Sequence, residues 1–159
     1  MRTKLIAACI AALALTGCTS SATEDTAKIT VANAYVKATT TMMTGAFMEI
    51  TNGTDADVTL TGADVTFAER AEVHEVTGGV MQKKEGGLPI AAGETQVLAP
   101  GANHLMFIGL AKPVKAGEEL TFTLQFSDGT TVEVTAPVKD VNTGDEKYQG
   151  ATPEASMSM

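Results

Sequence analysis

Residues 119–138 constrain the fold of this chain more than any other stretch. Leu120, Phe122, Leu124 and Phe126 alternate with Thr121, Thr123 and Gln125, so an extended segment has one apolar and one polar face. Asp128-Gly129 supplies a hairpin turn, and Val132, Val134 and Ala136 continue the alternation on the way back. The pattern predicts an antiparallel pair with its apolar face turned to a core.

The rest of the chain repeats that pattern in short pieces. Residues 28–38 alternate through Ile29, Val31, Ala34 and Val36, with a change of register at Asn33 that predicts an irregularity. Residues 39–44 read as a polar loop carrying Met42 and Met43. Residues 45–51 then set Ala46, Met48 and Ile50 on one face, so Met48 reads as core. Asn52-Gly53 is a turn signal, and residues 57–61 resume through Val58 and Leu60. In residues 70–76, Ala71 and Val73 form the apolar face, while Arg70, Glu72 and His74 lie opposite. Gly78-Gly79 makes a turn, and residues 80–82 return. Leu88-Pro89-Ile90 suits an edge, because proline cannot donate to a ladder. Residues 95–98 form another short strand. Many short strands with frequent turns predict an all-β fold, a Greek-key β-sandwich or barrel.

The N-terminus is an address. Arg2 and Lys4 precede an apolar run over residues 5–15 that is too short to span a membrane comfortably. It ends Leu15-Thr16-Gly17-Cys18, which resembles the bacterial lipobox. That resemblance implies lipidation at Cys18 and an extracytoplasmic protein anchored to the bacterial cell membrane. The chain divides into a lipoprotein signal peptide (1–17), a Ser/Thr-rich tether (18–27), a β domain (28–139) and a polar, Met-containing tail (140–159) expected to be disordered.

Cysteine usage then narrows the chemistry. Cys9 falls in the removable segment and Cys18 would carry lipid, so the mature domain has no thiol. In an oxidising compartment, methionine and histidine are the soft and borderline ligands that remain. The formal net charge of −8 argues against nucleic acid and against an anionic membrane surface as partners.

Residues 100–110 carry the candidate site. Pro100-Gly101 is a turn, and the strand after it sets His104 and Met106 two positions apart, on one face and roughly 7 Å apart. Leu105 and Phe107 point the other way, toward the core. With His74 and Met81 these make four residues that could converge on a soft ion, with Cu(I) the first candidate. A zinc site from His74, His104 and Glu72 or Glu75 is a weaker alternative. A blue-copper centre needs a cysteine thiolate that the mature chain lacks. No nucleophile elbow and no phosphate-binding glycine pattern is present, so an enzyme is not expected. A β-sandwich interaction module that binds no metal is the alternative from another class.

Val73-His74-Glu75, Val80-Met81, Glu85-Gly86-Gly87-Leu88-Pro89-Ile90, Ala92-Gly93, Leu98, Pro100-Gly101, His104-Leu105-Met106 and Gly109-Leu110 form an ordered series. It resembles the PCuAC-type extracytoplasmic copper chaperones, over about residues 29–138. The resemblance implies a cupredoxin-like fold and Cu(I) held by His74, Met81, His104 and Met106. The interval between His74 and Met81 is shorter than the family's, which makes Met81 the least secure match. The resemblance also implies a copper acceptor: the copper centre of a haem–copper cytochrome oxidase, or a thioredoxin-like assembly factor; copper storage or uptake is a close variant that the sequence does not separate. The site is expected to be partly exposed, for ligand exchange, on a monomer. Met42, Met43, Met157 and Met159 could make transient copper contacts, but an ordinary loop and an unstructured tail account for them more simply.

Overall fold

The structure, a computed structural model, describes residues 28–141 and the backbone of residues 147–148. Among these residues there are strands and no helix. In chain order the strands are β1 (Ile29–Lys37), β2 (Met43–Asn52), β3 (Val58–Asp64), β4 (Ala68–Thr77), β5 (Val80–Lys83) and β6 (Leu88–Ile90). They continue with β7 (Thr95–Leu98), β8 (His104–Leu110), β9 (Glu119–Phe126), β10 (Thr131–Lys139) and β11 (Lys147–Tyr148).

Seven strands close a ring in the order β4-β8-β2-β1-β10-β9-β3, sealed where Ala63 of β3 pairs with Ala71 of β4. Closure leaves the ring without a free edge. Its ladders are antiparallel except β1–β10, which runs parallel through Val36/Val138 and Lys37/Lys139. Three short strands attach outside the ring: β5 to β4, β7 to β2 and β6 to β3.

The ring is filled by the inward residues of each strand. Leu105 and Phe107 of β8 meet Phe122 and Leu124 of β9, Ile50 of β2 and Ala136 of β10 in one continuous core. Phe107 sits edge-on to Phe67 and Phe122, with centroids 4.9 and 5.1 Å away. The expected hairpin over residues 119–138 is β9–β10, in register from Gln125/Thr131 to Glu119/Pro137. At Asn33 the β1–β2 register slips, and Asn33 takes a φ of 55°, so the expected irregularity is a bulge with a left-handed residue. Asn52, buried where β2 ends, donates from Nδ2 to the carbonyls of Ala56, Ile90 and Ala91 at 2.8, 3.0 and 3.2 Å. Its Oδ1 accepts from Thr54, so the amide ties the β2 turn to β6.

Two expectations need correction. Residues 39–44 are not all loop, because Met43 and Thr44 belong to β2 and pair with Ile108 and Phe107. The polar Thr44 hides this: its hydroxyl is buried but donates to the Lys37 carbonyl at 2.5 Å. The polar segment from Asp140 contributes β11, which adds in parallel to β5 at Val80 and Met81. Such edge addition uses backbone groups and needs no apolar pattern. Cys18, Met157 and Met159, with the signal, tether and lipidation readings, lie outside the described residues.

Candidate metal centre

Strand register assembles the site. In the β4–β8 ladder His74 is paired with His104, Glu72 with Met106, and Val73 with Leu105. Val73 and Leu105 face the core, so alternation turns Glu72, His74, His104 and Met106 to the opposite face of the sheet. The β4–β5 hairpin pairs Val76 with Met81 and His74 with Lys83. Its turn residues Gly78 and Gly79 have φ of 61° and 78°, the left-handed pair that a two-residue hairpin requires. Met81 is thereby set on the face of His74, one strand over and two residues along.

These residues are buried despite lying outside the ring. His74 is 0 % exposed, His104 1 %, and Met81 and Met106 7 % each. The partly exposed site expected from the sequence is therefore replaced by a buried one. The imidazole centroids lie 5.9 Å apart, and the ring of Phe47 from β2 stands 6.0 Å from that of His104. Met81, Met106 and Ile108 form an apolar cluster of their own, against which Met43 and Val76 pack.

The hydrogen bonds set the histidine tautomers. Nδ1 of His104 lies 2.9 Å from the Ala102 carbonyl, which can only accept, so Nδ1 carries the proton and Nε2 the lone pair. Nε2 of His74 lies 3.1 Å from Glu72 Oε2 and donates to it, which leaves the lone pair on Nδ1. Glu72 in turn accepts from Arg70 Nε at 3.0 Å. Burial pushes the Glu72 carboxyl up, but hydrogen bonds from His74 and Arg70 and the nearby charge of Lys83 outweigh it and hold it below its ordinary range. A carboxylate or carbonyl on the far nitrogen is the usual support for an imidazole that ligates a metal.

The donor chemistry fits a soft monovalent cation. Imidazole and thioether are neutral, and the cost of burying an ion grows with the square of its charge. Among the described residues the adjacent carboxylate, Glu72, is bonded to His74 and Arg70. The alternative zinc set is poorly placed. Glu72 is committed to those two partners, and Glu75 turns to the other face, where it accepts from Lys84 and Gln82. Sequence reasoning found the four candidate ligands but missed the Phe47 wall, the Glu72 and Ala102 supports and the placement of Met43. The alternation read for Ala46, Met48 and Ile50 already implied an opposite face bearing Met43, Gly45 and Phe47.

Comparison with known proteins bears on this geometry. Residues 29–138 match the model of the LpqE-like lipoprotein family. The chain belongs to the LpqE-like family. A relative named as lipoprotein Lxx21020 of Leifsonia xyli subsp. xyli is 38 % identical over 126 residues, covering 77 % of this chain and 76 % of that protein. The Cu(I) form of DR1885 from Deinococcus radiodurans is 31 % identical, with a TM-score of 0.60 over 72 % of this chain and 80 % of that one. The copper-bound PCuAC domain from PmoF2 matches with a TM-score of 0.62 over 72 % of this chain and 94 % of that domain, at 18 % identity. The LpqE-like chain thus has the all-β, cupredoxin-like fold of the PCuAC domains, as its ordered histidines and methionines led us to expect.

Proposed function

We propose that this protein is a copper chaperone that binds one Cu(I) through His74, Met81, His104 and Met106. The observation that carries this reading is the facing pair of buried imidazoles. Each is oriented from its far side, by Glu72 or by the Ala102 carbonyl, and each stands beside a thioether on the same sheet face. Copper-bound relatives of the same fold support it. The role is carriage, not catalysis: Cu(I) is cargo, taken up and given away by ligand exchange. Lipidation at Cys18 would hold the domain at the outer face of the bacterial membrane, where the acceptor is the copper centre of a haem–copper oxidase or a thioredoxin-like assembly factor.

Anaerobic titration of the soluble domain with Cu(I), in competition with a chromophoric chelator, tests this. We expect one tightly held equivalent, weakened by each single replacement of the four ligands. A domain that takes no Cu(I) from a weak chelator would be an interaction module instead.

A further inference from the structure

Met43 lies outside the four-donor set, yet the fold places it at the edge of that site. It opens β2 opposite Ile108, and two residues on Gly45 stands opposite Met106. Alternation puts Met43 on the face of Met106 as its diagonal neighbour, at roughly 7–8 Å. Met43 packs against the cluster of Met81, Met106 and Ile108. It is only half-buried, whereas Met81 and Met106 are buried. Gly45 sends no side chain between Met43 and Met106. The tip of the Phe47 ring lies over Gly45, where an added Cβ would come within 3.0 Å of Phe47 Cζ. A thioether thus stands on the solvent side of donors that are otherwise buried.

We propose that Met43 is an exchange ligand, the sulfur through which Cu(I) enters and leaves the buried set. The inference rests on the His/Met reading of the site. A bond forms between the ion and Sδ of Met43 as the bond to Sδ of Met106 opens. Copper stays monovalent, and no proton moves, because thioethers carry none. A donor of the acceptor then displaces Met43. Being outside the resting set, Met43 controls the rate of transfer and contributes little to equilibrium affinity.

The test is stopped-flow transfer of Cu(I) from the loaded domain to a chromophoric chelator. Leucine at 43 keeps the apolar volume, so a purely structural role would survive Met43→Leu. The expected result is transfer slowed about tenfold, with equilibrium affinity within about threefold of wild type. Met42→Leu is the control. Met42 is 48 % exposed, precedes β2 and does not belong to the apolar cluster that Met43 packs against, so its loss should leave the rate unchanged. A wild-type rate in Met43→Leu overturns the inference, and so does an affinity loss as large as that of Met106→Leu. Both presume a wild-type domain that loads Cu(I). If it does not, the underlying function fails rather than this inference.

Discussion

His74 and His104 are cross-strand partners whose ring centroids lie 5.9 Å apart with planes inclined by 48°. Each ring is fixed on its far side by a different acceptor, the Glu72 carboxylate or the Ala102 carbonyl. Backbone pairing, side-chain alternation and tautomer choice therefore act together on one face of β4 and β8.

Met106→Leu removes a thioether and retains apolar volume. Its unfolding free energy should change by less than about 1.5 kcal/mol. Its Cu(I) affinity should fall by roughly tenfold or more, because an alkyl group offers no lone pair to the ion. Chemical denaturation and chelator competition on the same sample measure both. Unchanged affinity would remove Met106 from the ligand set.

Glu72→Gln tests the orientation of His74. The amide retains the shape but lacks the charge that holds Nε2–H of His74 and balances the bound cation. Losses of supporting groups of this kind cost roughly 10–100-fold in metal affinity. We expect a loss in that range in the chelator assay, with circular dichroism of the apo domain unchanged. Affinity equal to wild type would mean that His74 does not need Glu72.

Much of this arrangement was legible in the sequence, for a definable reason. Alternation over residues 119–126 and 70–76 fixes which side chains share a face, and turn dipeptides such as Gly78-Gly79 fix the hairpin. Those two rules place His74 and Met81 together, and His104 with Met106. Alternation within a strand does not reveal which strand lies beside which. The β4–β8 pairing that sets His74 against His104 joins segments 30 residues apart in sequence and is a property of the closed ring. Burial of the site was illegible for the same reason, since Phe47 reaches it from a third strand. Met43 was obscured by the threonines around it, which suggest a loop until Thr44 is seen bonding to Lys37.

Asn52→Ala probes the scaffold apart from the metal. The substitution removes the donor shared by the carbonyls of Ala56, Ile90 and Ala91 and the acceptor for Thr54. Stranded buried polar groups of this sort predict a loss of about 3 kcal/mol in stability. Equilibrium urea unfolding reads it, while Cu(I) affinity of the folded fraction stays as in wild type. A loss below about 0.5 kcal/mol would show that water replaces the amide without cost.

Acid should weaken the apo fold through carboxylates that the structure favours in their charged form. Hydrogen bonds from the Thr130 backbone and hydroxyl hold Asp128 below its ordinary range. Contacts from the Lys115 backbone and the Lys112 ammonium do the same for Glu118. A lowered folded-state value means that the stabilisation is fully present above the unfolded carboxylate value of ~4 and is lost as pH falls through the folded value. The urea midpoint of the wild-type domain should decline more steeply below about pH 4 than that of Asp128→Ala. Parallel acid limbs in the two proteins would contradict the assignment for Asp128.

Copper K-edge X-ray absorption of the anaerobically Cu(I)-loaded domain tests the proposed ligand set most directly. The donors assembled on β4, β5 and β8 predict two nitrogen and two sulfur scatterers on a monovalent ion, with one sulfur lost in Met106→Leu. A first shell of nitrogen and oxygen alone, or a spectrum unchanged by that substitution, would contradict it.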